Sequence, residues 1–227
     1  MKKVLSRLRG AAQYGRVSFS QEGEDLLLAR IFNDGRPGTY VDVGAHHPFR
    51  FSNTYLFYKL GWRGINIDAA PGSMTKFNQY RRGDTNLETG VSLAPEALRF
   101  FSFAEPALNT FSASLAESRA RTGHAIIQES VVTCAPLSAI LRDCKYAAIG
   151  GNSFLSVDVE GLDLDVLRSN DWSSYRPSFI VAEILGKNLE EVTRSPITTY
   201  LREQGYRPYS KLSASVIFKS EDYTVLL

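Results

Sequence analysis

One short stretch decides the fold: residues 40–45, Tyr-Val-Asp-Val-Gly-Ala. It predicts a strand that delivers an acidic residue, Asp42, to a turn at Gly44. In α/β folds, this kind of strand-to-helix turn is where nucleotides bind. Gly44 has no Cβ, so it lets a ligand approach the backbone closely. Because the turn lacks a complete G-x-G-x-x-G sequence, it does not favour a dinucleotide.

Predicted strands and helices alternate on both sides of this turn. They are a helix over 24–32, strands over 40–43 and 64–68, a helix with Met74, Phe77 and Tyr80 on its inner face, strands over 86–91, 98–103 and 129–133, a helix from Pro136 to Cys144, a strand over 154–159, a helix over 163–168, a strand over 178–184, a helix from Ser195 to Gly205, and strands over 206–210 and 214–219. Such alternation is typical of a mostly parallel sheet covered on both faces. The fold class is therefore α/β with a mostly parallel sheet, and the last two strands predict a C-terminal antiparallel hairpin. The stretch between the strands over 98–103 and 129–133, which we expect to pair, is polar and shows no clear period.

Composition narrows the class of protein. A chain of 227 residues with 44% hydrophobic residues can form one large core. The 26 basic and 24 acidic residues leave a net charge of +2, which argues against a nucleic-acid partner. No segment reaches the roughly 18 apolar residues that span a bilayer. Cys134 and Cys144 form no metal-type pair, which favours reduced thiols in a cytoplasmic protein.

The chain divides into two unequal parts. Residues 1–17 contain five basic residues and no acidic one, and they predict a basic N-terminal arm. Residues 18–227 predict a single domain, because no repeat, low-complexity tract or linker interrupts them. The sequence leaves homo-oligomer formation open.

A second acidic residue at the end of a strand narrows the class of ligand that the site could bind. The strand after Gly44 ends at Asp68, where a carboxylate can accept both hydroxyls of a ribose. Asp42 and Asp68 together suit an adenosine-containing ligand without a pyrophosphate, and S-adenosylmethionine fits that description.

Three further carboxylates follow buried strands. Asp158 and Glu160 end one apolar strand and Glu183 ends the next, so all three are predicted to meet at the ligand-binding edge of the sheet. Gathered acids raise one another's pKa, bind a divalent cation, or pair with a base. One hypothesis is therefore a magnesium ion held by Asp158, Glu160 and Glu183.

Two adjacent histidines follow the Gly44 turn. Either His46 or His47 could serve as a base near a ligand. Adjacent residues in extended backbone point in opposite directions, so we expect at most one of them to face the ligand.

Several motifs occur in a fixed order and spacing. They are Ser20-Gln21-Glu22-Gly23-Glu24-Asp25, residues 40–48, Ser52-Asn53-Thr54-Tyr55, residues 61–68, residues 155–163, Arg176-Pro177 and Glu183. With these motifs the chain resembles the FkbM-type methyltransferase family over roughly residues 18–220. Members of that family often carry Asn at the position of His46 and Glu at the position of Asp68.

The resemblance implies a Rossmann-like, class I methyltransferase fold that uses S-adenosylmethionine. By position, Asp42 and Gly44 would contact the methionine part of the cofactor and Asp68 its ribose. The remaining implied cofactor contacts are Ala45, Asn53, Ala69, Ser92 and Asp158. The implied substrate or lid residues are Gln21, Asp25, His47 and Glu183.

The expected reaction is methyl transfer to a hydroxyl, with Asp158, Glu160 or His46 as the proton acceptor. We expect the acceptor to be a sugar of a surface glycan or its precursor, which places the protein in polysaccharide biosynthesis. The alternatives are a polyketide or other secondary-metabolite hydroxyl, a non-catalytic protein that binds an adenosine ligand, and an NAD-dependent oxidoreductase.

Overall fold

A seven-stranded sheet forms the centre of the protein. The structure is a computed structural model, and it describes residues 15–144, 148–149, 151–185 and 188–224. Most of the predicted basic arm, residues 1–14, lies outside the described residues. The helices are α1 Glu24–Ile31, α2 Tyr55–Lys59, α3 Met74–Tyr80, α4 Ala113–Arg121, α5 Leu137–Asp143, α6 Asp163–Arg168, α7 Leu189–Arg194 and α8 Pro196–Glu203, with a 3-10 helix at Pro106–Leu108. The strands are β1 Thr39–Val43, β2 Arg63–Asp68, β3 Thr85–Glu88, β4 Gly90–Val91, β5 Glu96–Phe103, β6 Ile126–Ala135, β7 Ala148–Ile149, β8 Ser153–Val157, β9 Tyr175–Arg176, β10 Phe179–Glu183, β11 Tyr206–Lys211 and β12 Ser215–Ser220.

The strand order in the main sheet is β11-β12-β10-β8-β1-β2-β3. The five strands from β10 to β3 are parallel, whereas β12 runs antiparallel to both β10 and β11. This confirms the predicted α/β fold with a mostly parallel sheet and a C-terminal antiparallel hairpin. The chain moves outward from β1 in one direction through β2 and β3, and in the other through β8 and β10. The order therefore reverses between β1 and β8, and ligands of such sheets bind at this reversal.

Apolar residues cover both faces of the central strands. On one face, Val41, Leu155 and Ile180 pack with residues of α5, α6 and α8. On the other face, Phe57 and Phe154 belong to an aromatic cluster with α1. Strands buried on both faces read as continuous apolar runs, which is why the sequence predicted these strands well.

A buried polar network lies between β1 and β2. The fully buried Arg81 guanidinium donates to the Asp84 carboxylate at 2.9 Å and to the Tyr40 hydroxyl at 2.7 Å. Asp84 also accepts the backbone N–H of Gly64 and the side-chain amide of Asn66, both at 3.0 Å. The ion pair is therefore hydrogen-bonded on several sides, as a buried pair requires.

The small sheet differs in part from the prediction. β5 pairs antiparallel with β6, with Leu98 opposite Val132, which confirms the expected pairing. The strand predicted over 86–91 is instead two strands. Of these, β3 joins the main sheet and β4 pairs with β6.

The apolar pattern predicted none of three helices: the short α2, α4 and α7. Within α4 only Ala116 is buried, so the helix shows no apolar stripe in the sequence. In α7 only Val192 is buried, so this helix also shows no apolar stripe in the sequence. Tyr80, expected on the inner face of α3, is 48% exposed. None of the helices in the described ranges is both long and apolar enough to cross a membrane.

Candidate functional site

A cavity of about 790 Å³ opens at the carboxyl ends of β1, β2 and β8. Gly44, Asp68 and Asp158, each from the end of a different strand, line it. β1 and β8 run in register, with Val43 opposite Val157, so the residues that follow them meet at the sheet edge. The cavity thus lies at the reversal of strand order, where the sequence predicted a ligand.

Position 44 requires glycine for two reasons: its backbone conformation and its closeness to the backbone of Asp158. Its φ is +83°, a left-handed conformation that favours glycine. A Cβ built there would lie 1.8 Å from the backbone oxygen of Asp158. The two strand ends therefore touch, and Gly44 presents bare backbone to the cavity.

Asp68 is fixed in place by two backbone amides. Its carboxylate accepts the N–H of His46 at 2.8 Å and the N–H of Ala70 at 2.8 Å. Burial raises the pKa of Asp68. A carboxylate offers about four lone-pair positions, so acceptor capacity remains for ligand hydroxyls. Asp68 and the adjacent Ala69 both line the cavity.

The three predicted acids do come together. Oxygen atoms of Asp158, Glu160 and Glu183 all lie within 4.8 Å of one another. Asp158 is open to the cavity but lies deep in the fold, and burial together with the Glu183 charge raises its pKa well above the ordinary value. Burial and the Glu160 charge raise the pKa of Glu183 to about 7. Such crowding favours retention of a proton within the cluster near neutral pH.

The two strand-end acids Asp158 and Glu183 face the ligand space differently. Asp158 lines both the main cavity and a small adjoining recess, and Gln21 also lines both. Glu183 lines only the recess. A ligand in the main cavity therefore meets Asp158 first.

Glu160 is held by Arg119, a residue that no sequence motif indicated. Arg119 of α4 pairs with the Glu160 carboxylate and donates to the backbone oxygen of Leu108 at 2.6 Å. The Thr110 hydroxyl donates to the Glu160 backbone oxygen at 2.8 Å. No sequence signal connects Arg119 with Glu160, because α4 shows no pattern and the partners lie far apart in the chain.

Asp163 supports the turn that contains Glu160. Its carboxylate accepts the N–H of Val159 and of Gly161, each at 3.2 Å. Burial raises the pKa of Asp163 to about 6. The motif over residues 155–163 included Asp163, and the structure gives it this positioning contact.

Both histidines line the cavity, so the expectation that at most one would face it is wrong. His46 has a φ of +55°, which breaks the alternation of an extended backbone. The Nε2 atom of His46 is buried and has no hydrogen-bond partner among the described residues. Burial lowers the pKa of both rings.

Backbone strain is concentrated at the cavity. Within the described ranges, the non-glycine residues with positive φ are His46, Phe51 and Glu160, each at +55°. All three line the cavity. Such conformations cost about 1 to 3 kcal/mol each and persist where the surroundings enforce them, commonly at functional sites.

Besides Glu183, five predicted site residues do not line the main cavity. Asp42 is buried and accepts the Thr54 hydroxyl at 2.9 Å. Ala45 is buried in a cluster below the turn. The Asn53 amide donates to the Ser156 hydroxyl at 3.1 Å and lines the recess.

Ser92 and Asp25 are the other two. Ser92 is buried, and its hydroxyl donates to the Ala94 backbone oxygen at 2.7 Å. Asp25 is buried and accepts hydrogen bonds from Ser18, Phe19 and Ser20 at 2.6–2.9 Å, which fixes the leader segment. The cofactor and lid roles of these five residues stay predictions.

The family model described as the methyltransferase FkbM domain matches residues 42–208. The chain belongs to the FkbM methyltransferase family. The match runs from Asp42 through the acid cluster to β11, so it covers every strand end of the cavity. No curated protein matches the sequence at a significant level.

Two solved structures are similar to this FkbM family member at a distant level. An FkbM methyltransferase from Methylobacillus flagellatus KT is 13% identical with a TM-score of 0.48, over 88% of this chain and 48% of that one. The chain thus spans about half the length of that relative. A candidate RNA methyltransferase from Pyrococcus horikoshii is 10% identical with a TM-score of 0.43, over 91% and 89% of the two chains.

Proposed function

We propose that the protein transfers a methyl group from S-adenosylmethionine to a hydroxyl of a small molecule. The observation that carries the proposal is the position of Asp68. Its carboxylate faces the cavity from the end of β2, already oriented by the amides of His46 and Ala70. Membership of the FkbM methyltransferase family supports the same reaction class.

The residues present fit this cofactor. The Gly44 backbone lines the cavity, and the missing Cβ lets the ends of β1 and β8 meet there. Asp68 keeps free acceptor positions that suit the two ribose hydroxyls. A volume of about 790 Å³ is within the range of small-molecule and cofactor sites.

When bound, S-adenosylmethionine supplies an activated methyl group. The protein then has to align the acceptor oxygen, exclude water and accept a proton. We assign the proton to an oxygen of Asp158, because this carboxylate lines the cavity and its pKa is raised by burial and by Glu183. A raised pKa makes the ionised carboxylate a stronger proton acceptor.

The other two predicted bases receive different assignments. Glu160 is paired with Arg119, so we assign it to positioning of the turn rather than to proton transfer. His46 lines the cavity and stays the alternative base.

A magnesium ion on Asp158, Glu160 and Glu183 remains a hypothesis alongside this one. The carboxylates are close enough, although Arg119 already provides a positive charge to Glu160. Loss of activity on chelation, with recovery on addition of magnesium, would support the ion. Full activity in a chelator would contradict it.

For the acceptor, we propose a sugar hydroxyl of a surface glycan or its precursor, made in the cytoplasm. The cavity wall supports a polar acceptor, since His46, His47 and Lys76 line it together with the acids. The proposal includes no nucleic-acid partner, and it leaves homo-oligomer formation open.

The test is a panel of acceptors incubated with S-adenosylmethionine labelled at the methyl group. Nucleotide-activated sugars and oligosaccharides form one arm, and polyketide hydroxyls form the other. We expect label in the sugar arm and at least a hundredfold lower kcat for Asp158→Asn. Label only in the polyketide arm would establish the alternative acceptor. Cofactor binding without label in either arm would indicate a non-catalytic binding protein.

A further inference from the structure

The His47 ring presents a hydrogen-bond donor to the cavity. Its Nδ1 atom accepts the backbone N–H of Phe49 and of Arg50, both at 3.2 Å. An imidazole nitrogen that accepts these bonds carries no proton, so the proton of the neutral ring is on Nε2. Burial and the nearby Lys76 charge lower the pKa of His47, which keeps the ring neutral.

The donor at His47 faces a second donor. The Lys76 ammonium lies 3.2 Å from His47 Nε2. An ammonium group has three donors and no acceptor, so neither group satisfies the other. In the described part of the chain, no carboxylate lies within ion-pair distance of Lys76. A ligand oxygen beside both groups would accept a hydrogen bond from each.

The cavity wall that contains His47 and Lys76 also includes His46 and Arg50. The buried Nε2 atom of His46 has no partner among the residues described, and the two histidine rings are 6.3 Å apart. Arg50 lies beside them, paired with Glu105 through two 3.0 Å contacts. The wall therefore differs in charge from the wall formed by the acid cluster.

We propose that His47 and Lys76 form an oxyanion subsite that binds a phosphate or carboxylate group of the acceptor. The inference rests on the proposed function, because it names the class of acceptor: a hydroxyl compound that also carries a negative charge. Sugar precursors linked through phosphate and sugars with a carboxylate both have this chemistry. The His47 N–H and the Lys76 ammonium make charge-assisted hydrogen bonds to such a group.

The subsite can be tested without the natural acceptor. Inorganic pyrophosphate and glucuronate are titrated calorimetrically into the wild type, Lys76→Gln and Lys59→Gln, each with and without S-adenosylhomocysteine. Lys59 is an exposed lysine outside the cavity, so its variant is matched for the change in charge. The affinity of each protein for S-adenosylhomocysteine is measured in parallel, which tests the proposed function separately.

We expect one probe to bind the wild type, with at least fivefold weaker binding to Lys76→Gln and unchanged binding to Lys59→Gln. The stronger probe then identifies the group as phosphate or carboxylate. Absence of binding by both probes, or equal binding to Lys76→Gln, would overturn the subsite. Weaker binding of S-adenosylhomocysteine to Lys76→Gln would overturn it as well, because the cofactor carboxylate would then occupy this position. Failure of S-adenosylhomocysteine to bind any variant would count against the proposed function instead, while the probe titrations still decide the subsite.

Discussion

The carboxylate of Asp68 accepts the backbone N–H of His46 at 2.8 Å. This bond joins the end of β2 to the turn after β1, and the same carboxylate faces the cavity. It explains how the turn retains the left-handed conformation of His46, and it orients Asp68 before any ligand binds. The strand ends around the cavity are thus mutually supporting, and each can be tested by substitution.

Substitution of Gly44 by alanine combines two costs: the strain of a left-handed φ and the steric conflict of a Cβ with the Asp158 backbone. The φ of +83° alone costs alanine about 1 to 2 kcal/mol. The Cβ would in addition meet the Asp158 backbone oxygen at 1.8 Å. We expect Gly44→Ala to lower the urea midpoint more than Gly35→Ala, where φ is +75° and no atom lies within 4 Å. Equal losses in the two variants would show that β1 and β8 do not meet as described.

Removal of the buried cation at Arg81 should be among the most damaging changes in the core. Arg81→Met leaves the Asp84 carboxylate buried without its ion partner, at a cost of about 3 to 5 kcal/mol. The free energy of unfolding from urea titration measures this loss. Arg194→Met, which breaks an exposed pair with Glu190, should leave stability nearly unchanged. The double variant Arg81→Met/Asp84→Asn should be more stable than Arg81→Met alone; a further loss would contradict the assignment.

The raised pKa of Glu183 predicts that the stability of the protein depends on pH. Its pKa is raised from 4.5 to about 7 by burial and by Glu160, so the folded state binds this proton more tightly than the unfolded state. The associated stability is present below pH 4.5 and is lost as the pH rises through about 7. Glu183→Gln should therefore gain stability relative to the wild type as the pH rises through this window. Urea midpoints measured across the window test this, with the exposed Glu190→Gln as control, and a constant difference between Glu183→Gln and wild type would contradict it.

Arg119 should set the proton affinity of the acid cluster. Its charge lowers the pKa of Glu183, so Arg119→Gln is expected to raise that pKa further. The shift can be followed by carbon NMR titration of glutamate labelled at the side-chain carboxyl. Arg121→Gln provides the control, because this exposed arginine lies on the same helix and contacts Glu117 instead. An unchanged Glu183 titration in Arg119→Gln would show that the Arg119 charge does not act on Glu183.

The sequence predicted the sheet and the place of the site because both depend on local patterns. Apolar runs ending in Asp68 or Asp158 mark strands buried on both faces, and the topology brings their ends to one edge. The pairing of Arg119 with Glu160 depends on tertiary packing of a helix without an apolar stripe. The orientation of His46 depends on a single left-handed φ, which no residue pattern indicates for histidine.

The most direct test of the account is a calorimetric titration with S-adenosylmethionine and S-adenosylhomocysteine of the wild type, Asp68→Ala and Asp68→Asn. Asp143→Ala, which removes an exposed carboxylate far along the chain, is the matched control, and thermal unfolding verifies that each variant is folded. We expect micromolar binding by the wild type and the control, and at least tenfold weaker binding by Asp68→Ala, which corresponds to about 1.4 kcal/mol. No binding by the wild type, or equal affinity in the folded Asp68→Ala variant, would contradict the claim that this carboxylate holds the cofactor.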